Sequence, residues 1–242
     1  MSPPRFYLDQ KIALGAQLML PPGPARHAAR VLRLEVGDTV HLFNGLGGEF
    51  VARIEHIRKD EVAVQITTFN DVECESPLQV MLAQGISSGE RMDYTLQKVV
   101  ELGVSAIQPI AAKRSVVKLA GERADKRVAH WQAVVASACE QSGRNRVAPV
   151  SQPMSLANWL GQRPTGRLLF LSPLATTSLV DLSPQQGLHV LIAGPEGGFE
   201  VDEIAALESA EAIPVRLGPR ILRTETAAVA ALAALQTLWG DF

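Results

Sequence analysis

The stretch that decides the fold is LHVLIAGPEGGFEVDEI, residues 188–204. Its apolar run ends at Ala193 and passes directly into a glycine-rich turn, residues 194–198, after which acidic residues begin a helical pattern. A short apolar run bounded by a turn is typical of a buried strand, and such strands belong to parallel sheets covered by helices. The stretch therefore predicts one strand–turn–helix unit of an α/β fold.

The same alternation of strands and helices extends from about residue 73 to the C-terminus. Apolar runs predict strands at 78–86, 105–112, 167–172, 188–193 and 213–217, and periodic patterns predict helices at 87–103, 124–141, 155–160, 201–210 and 225–239. Ser87 and Glu90 have the spacing of a capping box, and Gly103 is placed to end that helix. This order predicts a mainly parallel sheet with helices on both faces.

Residues 1–72 have a different pattern. The segments 38–45, 47–57 and 61–69 alternate apolar and polar residues with period two, and turn residues separate them. A short helix is predicted at 24–34. This pattern predicts a small antiparallel sheet or barrel. The polar stretch 70–77 ends in proline, so we place the domain boundary there, between 1–72 and 73–242.

Composition excludes several classes of protein. The chain has 242 residues, is 47% hydrophobic and has a net charge of −2, which excludes a disordered or broadly basic protein. The N-terminus has no signal core, and no apolar run approaches the roughly 20 residues that span a bilayer. The cysteines and histidines lack metal-ligand spacing. We therefore expect a cytoplasmic protein with no membrane segment and no metal.

The glycine-rich turn invites comparison with a phosphate-binding loop. Glu200, Asp202 and Glu203 already occupy the positive end of the following helix, and no Walker lysine or G-x-G-x-x-G pattern is present. A nucleotide-phosphate site is therefore disfavoured. Two interpretations remain, namely a plain turn before a capped helix and a backbone pocket for a neutral or partly cationic ligand.

Two further segments could bind or act on a ligand. After the strand at 213–217, a Gly218–Pro219 turn is followed by Arg220 and Arg223, with Thr224 as the predicted N-cap of the last helix. Arginine at this edge suits phosphate or base recognition, or it pairs with surface acids. The segment 138–146 suits RNA contact or an ordinary helix end. The basic segment 113–118 is predicted to be a solvated edge.

Three motifs together carry a family resemblance. GPEGGF (194–199), LGPRILRTETA (217–227) and EQSGR (140–144) resemble the bacterial small-subunit ribosomal RNA uridine-N3 methyltransferases of the SPOUT superfamily. FNGLGGEF (43–50) and QKVVELGVSAIQPI (97–110) extend the likeness over nearly the whole chain. The resemblance implies a PUA-like RNA-binding barrel (1–72) and a SPOUT domain (73–242) with a C-terminal trefoil knot, acting as a homodimer on ribosomal RNA or the small ribosomal subunit.

The resemblance also implies a cofactor, S-adenosyl-L-methionine, held mainly by backbone groups. Carried onto this sequence, its pocket comprises Leu171, Ser172, Gly194, Pro195, Glu196, Gly197, Gly198, Leu217, Gly218, Ile221, Leu222 and Arg223. Small residues at such a pocket let the backbone approach the ligand closely.

For catalysis, Arg223 is the candidate that stabilises a uracil oxygen, and Glu225 is the candidate that accepts the N3 proton or orients the arginine. Glu140 and Arg144 are candidates that reach the site from the facing subunit. The candidate RNA-binding residues are Arg26, His27, Arg30 and Arg33 on the short helix, with Arg144, Arg146 and Arg220. Two alternatives stay open, a SPOUT enzyme acting on another RNA position and a non-catalytic RNA-binding or ribosome-assembly factor.

Overall fold

The computed structural model describes residues 3–242, which divide into two compact units. The first unit contains the chain up to Glu75 together with Cys139–Val147, and the second contains Ser76–Ala138 and Ala148–Phe242. The sequence prediction placed all of residues 73–242 in one domain. The structure instead groups the end of a long helix and the turn after it with the first unit.

The elements follow in this order: β1 (Arg5–Tyr7), β2 (Gln17–Met19), α1 (Pro22–Arg26), β3 (Thr39–Phe43), β4 (Glu49–Arg58), β5 (Glu61–Asn70), β6 (Val80–Gly85), α2 (Gly89–Glu101), β7 (Ala106–Ile110), α3 (Glu122–Ser142), α4 (Leu156–Leu160), β8 (Arg167–Leu171), β9 (His189–Ala193), α5 (Val201–Ser209), β10 (Ile213–Val215) and α6 (Thr224–Trp239). A π-helical turn, His27–Val31, follows α1, and a 3₁₀ turn, Leu179–Asp181, follows β8.

The first unit contains a five-stranded sheet in the order β1-β3-β4-β5-β2. All neighbours are antiparallel except β1, which runs parallel to β3. Alternate residues such as Val40, Ala52 and Val64 are buried in its core, as the period-two pattern predicts. The short strands β1 and β2 were not predicted, because three residues are too few to display that period.

The helix predicted at 24–34 is shorter and less regular than expected. It starts at Pro22, where a missing N–H costs nothing because the first turn has no intrahelical acceptor for it. It then widens into the π-helical turn. Arg33 lies beyond the helix in the left-handed region with φ 54°, and the Leu34 N–H donates to the Ala28 carbonyl (3.0 Å). Arg33 thus occupies the position that glycine usually takes where a helix ends.

The second unit contains a sheet in the order β10-β8-β9-β6-β7, and every neighbouring pair is parallel. This confirms the predicted parallel α/β sheet. The central strands β6 and β9 are buried along their whole length, since helices cover both faces of such a sheet. The order places the carboxyl ends of β10, β8, β9 and β6 next to one another.

Two predicted helix caps were wrong. α2 begins at Gly89 after Ser88 rather than after Ser87, and no side chain caps it. α6 begins at Thr224, and Arg223 is its N-cap residue. The Ser87 hydroxyl instead donates to the Gly85 carbonyl (3.3 Å), and the Thr224 hydroxyl donates to the Gly194 carbonyl (2.6 Å). Gly103, with φ 85°, follows α2 in the left-handed conformation that its predicted role requires.

His189 makes a pH-dependent contribution to stability. Its ring lies buried beside that of Trp239, with centroids 5.2 Å apart, and within residues 3–242 neither nitrogen has a well-formed hydrogen bond. Burial lowers the pKa of His189 below its ordinary 6.5, and the charge of Arg167 acts in the same direction, against a smaller opposite effect of the Gly187 backbone. The unfolded chain therefore binds this proton more readily than the folded protein.

We expect the folded protein to lose stability as pH falls below about 6.5, down to the lowered pKa, because protonation favours the unfolded chain. The variant His189→Phe is expected to lack this pH-dependent loss of stability. Urea unfolding of both proteins between about pH 8 and about pH 5 tests it. Parallel losses of stability in wild type and variant would contradict the assignment.

Candidate functional site

The strand order brings three loops to one edge of the second unit. β10, β8 and β9 are parallel neighbours, so the segments that follow them lie side by side. Backbone hydrogen bonds join two of these segments directly. The Ser172 N–H donates to the Val215 carbonyl (3.0 Å), and the Arg216 N–H donates to the Thr177 carbonyl (2.9 Å). The residues predicted to bind the cofactor in these loops, far apart in sequence, therefore share this edge.

The glycine-rich loop packs backbone against backbone. The Gly198 N–H donates to the Pro195 carbonyl (2.9 Å), and Gly198 has φ 69°. A β-carbon on Gly194 would lie 3.3 Å from the Gly198 Cα. A β-carbon on Gly85, at the end of β6, would lie only 2.3 Å from the Pro195 nitrogen. Sequence reasoning missed Gly85, although glycine inside a buried strand often marks a close backbone approach.

Cations from another loop pair with the acidic residues after the turn. Arg114 donates from Nε and Nη2 to the Glu200 carboxylate (2.8 and 2.9 Å) and from Nη1 to the Gly197 carbonyl (3.2 Å). Lys113 forms an ion pair with Asp202. These bonds hold the pKa values of Glu200 and Asp202 below their usual range.

This pairing corrects two inferences from the sequence. Lys113 and Arg114 are exposed but are not a plain solvated edge, because Arg114 binds the Gly197 carbonyl of the glycine loop and Lys113 pairs with Asp202 on α5. Two of the three acidic residues, Glu200 and Asp202, pair with these cations, while Glu203 accepts backbone N–H bonds from Lys113 and Glu200. The acidic residues therefore have structural partners on the protein, which weakens the inference from their charge to that of a ligand. No local pattern signals the pairing, because the residues are more than 80 positions apart in the sequence.

Glu196 anchors the loop to the start of α2. Its carboxylate accepts hydrogen bonds from the Ser88 N–H and hydroxyl (both 2.9 Å) and from Arg91 Nη1 (3.2 Å). Partial burial raises the pKa of Glu196, but these hydrogen bonds outweigh it and leave the pKa below the ordinary 4.5. The carboxylate therefore has structural partners on the protein.

We expect Glu196→Gln to loosen the loop and to weaken binding of the cofactor that the family resemblance implies, by a few-fold. Charge-assisted hydrogen bonds contribute roughly 1.5–3 kcal/mol when intact, and the amide keeps part of this. In wild type this contribution is present above about pH 4.5 and is lost as pH falls through the lowered pKa. Calorimetry of S-adenosylmethionine binding measures the change. Glu208→Gln, at an exposed position on α5, is the control with the same charge change. Equal affinities for the two variants would contradict the anchoring role.

The start of α6 holds the two candidate catalytic side chains of this unit. Arg223 is exposed, and within residues 3–242 its guanidinium forms no ion pair. Oε2 of Glu225 is buried and has no hydrogen-bond partner in that range. Thr224 between them is buried, and its hydroxyl donates to the Gly194 carbonyl (2.6 Å). The residue between the two candidates is thus fastened to the glycine loop.

Glu140 and Arg144 belong to the first unit. Oε1 of Glu140 accepts a hydrogen bond from the Tyr7 N–H (2.8 Å), and burial raises the pKa of Glu140. The Arg144 side chain is buried and donates from Nε to the Glu75 carboxylate (3.1 Å). Both residues therefore attach the segment Cys139–Val147 to the rest of this unit. Their predicted role at a facing active site stays a prediction.

The candidate RNA-binding residues differ in whether an acidic side chain already pairs with them. Arg26, His27 and Arg33 are exposed. Arg30 is also exposed but pairs with Asp60, and the Arg146 guanidinium is 3.3 Å from Glu73. In the second unit, Arg220 is exposed beside the Gly218 turn. The first unit thus presents a basic segment around the π-helical turn.

Residues 3–242 contain no cluster of three or more histidine, cysteine, aspartate or glutamate side chains suited to a metal ion. No helix in this part of the chain is long and apolar enough to cross a membrane.

Comparison with known proteins identifies the family. The model of an RNA methyltransferase domain matches residues 74–236, and that of an RNA methyltransferase PUA domain matches residues 25–67. Ribosomal RNA small subunit methyltransferase E of Buchnera aphidicola is 34% identical, with coverage of 99% of this chain and 95% of the relative. The enzyme of that name from Mycobacterium tuberculosis is 35% identical, with coverage of 96% and 91%.

Two solved structures share the whole fold. Ribosomal RNA small subunit methyltransferase E from Neisseria gonorrhoeae, bound to S-adenosyl methionine, is 44% identical with a TM-score of 0.92. A protein from Legionella pneumophila with bound SAM is 40% identical with a TM-score of 0.96. Each comparison covers 100% of both chains. Together with the family models, these relatives show that the chain belongs to the family of the ribosomal RNA small subunit methyltransferases E.

Proposed function

We propose that this protein transfers a methyl group from S-adenosylmethionine to N3 of a uridine in small-subunit ribosomal RNA. The observation that carries the proposal is the edge where three loops meet, which corresponds to the motifs of a family with S-adenosylmethionine-bound members. The proposed cellular location is the cytoplasm, where the small ribosomal subunit is the partner.

The glycine loop fits such a cofactor. Gly85 at the end of β6 and Gly194 allow the backbones there to pack closely, and Gly198 takes a left-handed φ of 69° with open space around it. A loop so poor in side chains leaves its N–H and carbonyl groups able to approach a ligand. When bound, S-adenosylmethionine supplies an electrophilic methyl group. The residues proposed to hold it are Leu171, Ser172, Gly194, Pro195, Glu196, Gly197, Gly198, Leu217, Gly218, Ile221, Leu222 and Arg223. For Glu196 the proposed role is indirect, because its carboxylate bonds to Ser88 and Arg91.

The proposed chemistry rests on Arg223 and Glu225. Uridine N3 is nucleophilic only after its proton leaves, and the negative charge then spreads onto O2 and O4. A guanidinium without an ion-pair partner suits stabilisation of that charge. The buried Oε2 of Glu225 lacks a donor, which makes it a suitable acceptor for the N3 proton. Holding the reacting atoms in line is the other main contribution of the protein.

We also propose that the protein acts as a homodimer and that its C-terminal segment forms a trefoil knot. Leu174 and Ile221 support the dimer, since they are 89% and 88% exposed in the loops at the site, and a second copy could cover them. The return of α6 to the glycine loop through Thr224 supports the knot. Glu140 and Arg144 retain their proposed contribution to a facing site, and mixed dimers of inactive variants can test it.

For the first unit we propose a PUA-like barrel that docks RNA. Its exposed Arg26, His27 and Arg33 suit contact with phosphates, which positions the RNA without reading its sequence. Arg30 and Arg146 can join such contacts by exchanging their present acidic partners. Arg220, which is exposed, and Arg144 complete the proposed RNA-binding set. The Arg144 side chain is buried against Glu75, so it could contact RNA only after leaving that partner.

An assay with the purified full chain tests the reaction. Methyl-labelled S-adenosylmethionine is incubated with the protein and either naked small-subunit RNA or assembled subunits, and the digested nucleosides are analysed by mass spectrometry. Labelled 3-methyluridine is the expected product. Label on another nucleoside would indicate a methyltransferase of different specificity. Absence of cofactor binding in calorimetry, with or without RNA, would indicate a non-catalytic assembly factor.

A further inference from the structure

A short hydrogen-bond chain inside the second unit connects three elements at the site. The Thr224 hydroxyl donates to the Gly194 carbonyl (2.6 Å), and Gln84 Nε2 donates to the Thr224 oxygen (3.0 Å). Gln84 Nε2 also donates to the Gly85 carbonyl (3.0 Å). The chain therefore joins the end of β6, the start of the glycine loop and the first residue of α6.

The direction of each bond follows from chemistry. The Gly194 and Gly85 carbonyls can only accept hydrogen bonds, so the single hydroxyl proton of Thr224 points to Gly194. The Thr224 oxygen must then accept, and the amide of Gln84 must present its NH₂ group to both Thr224 and Gly85. This arrangement has one consistent set of donors and acceptors, which fixes the orientation of the Gln84 amide.

Burial of Gln84 costs folding free energy that an apolar residue at this position would not. It is fully buried in a strand whose other side chains are all apolar, and within residues 3–242 its Oε1 has no hydrogen-bond partner. Buried polar atoms nearly always have partners. A polar side chain that leaves one oxygen unpaired is best explained by what its other end does, which is to hold Thr224.

We infer that Thr224 and Gln84 are positioning residues for methyl transfer. This inference rests on the proposed function. Thr224 lies between Arg223 and Glu225, so fastening its hydroxyl to Gly194 sets the distance between the two catalytic candidates and the loop proposed to hold the cofactor. Because a misplacement of about 1 Å in an active site can cost about 100-fold in rate, the chain would govern turnover as well as folding.

The matched variants Thr224→Val and Thr224→Ser test the inference. Valine has nearly the same shape but neither donates nor accepts, so the Gly194 carbonyl loses its donor and Gln84 keeps only its bond to the Gly85 carbonyl. Serine keeps the hydroxyl. We expect Thr224→Val to lower kcat roughly tenfold to 100-fold and to raise the KM for S-adenosylmethionine. The KM for RNA should not change. Thr224→Ser should restore kcat to within about threefold of wild type, since it keeps both bonds.

Gln84→Met supplies a second, independent variant. It fills the core position and removes the unpaired oxygen, while Thr224 keeps its bond to Gly194. An intermediate loss of kcat, about twofold to fivefold, is expected. Thermal unfolding separates a positioning role from a purely structural one. A purely structural contribution lowers the melting temperature but leaves kcat unchanged at temperatures well below the melting temperature. If Thr224→Val does not fold, the Gln84→Met result decides.

The inference is overturned if Thr224→Val, or failing that Gln84→Met, has wild-type kcat and cofactor KM in an assay where wild type is active. It is also overturned if serine fails to rescue. An inactive wild-type protein would instead overturn the proposed function, so the two failures are distinguishable.

Discussion

Replacement of Arg223 by alanine is expected to lower the rate of methyl transfer by about 100- to 1000-fold, the usual cost of removing one group that stabilises developing negative charge. The guanidinium is exposed and has no ion-pair partner within residues 3–242. Its removal should therefore change the melting temperature by no more than about 2 °C. The loss should be in the chemical step.

Single-turnover kinetics at saturating cofactor and RNA measure that step. Arg123→Ala is the control, since it removes the same charge from an exposed position on α3 and should leave the rate unchanged. Near-normal turnover of Arg223→Ala would remove Arg223 from the mechanism. A loss that disappears at high RNA concentration would assign Arg223 to RNA binding instead.

The variant Gly85→Ala is expected to lose most of its affinity for S-adenosylmethionine. Its new methyl group would lie 2.3 Å from the Pro195 nitrogen and 2.7 Å from the Gly194 carbonyl carbon. These neighbours include backbone atoms, which cannot rotate away, so the loop itself must move. Overpacking of this kind costs about 1–3 kcal/mol of stability. If a similar amount is lost from binding, affinity falls about 10-fold to 100-fold.

Gly161→Ala is the matched control for this steric prediction. Gly161 ends α4 with φ −71°, and its added β-carbon would lie 3.5 Å from the nearest atom, an ordinary contact. Calorimetry should therefore show wild-type affinity for Gly161→Ala and weak or no binding for Gly85→Ala. Wild-type affinity of Gly85→Ala would mean that the loop does not need its present position against β6.

Patterns within one element predicted much of the second unit. The apolar run 188–193 corresponds to β9, and the alternation of strands and helices correctly predicted a parallel sheet. Because parallel strands align their carboxyl ends, the sequence could also indicate which loops share an edge. The family motifs indicated the same loops as candidates for the site.

Contacts between distant residues could not be predicted in this way. Ser87 and Thr224 were the predicted helix caps, yet their hydroxyls bond to the Gly85 and Gly194 carbonyls. Ser88, the actual N-cap residue of α2, bonds to Glu196. The sequence predicts that Arg114 is a solvated cation, but its guanidinium binds Glu200. Local propensity reflects only neighbours in the sequence. A side chain that finds a better partner elsewhere in the fold therefore makes a different bond from the one that its local sequence predicts.

Mass spectrometry of ribosomal RNA from cells lacking this protein tests the central claim most directly. We predict that a single methylated uridine disappears from the small-subunit RNA, while all other modifications are unchanged. Expression of the wild-type chain should restore it, and expression of Arg223→Ala should not. An unchanged methylation pattern in the deleted cells, or loss of a methyl group from a different kind of nucleoside, would contradict the proposed reaction.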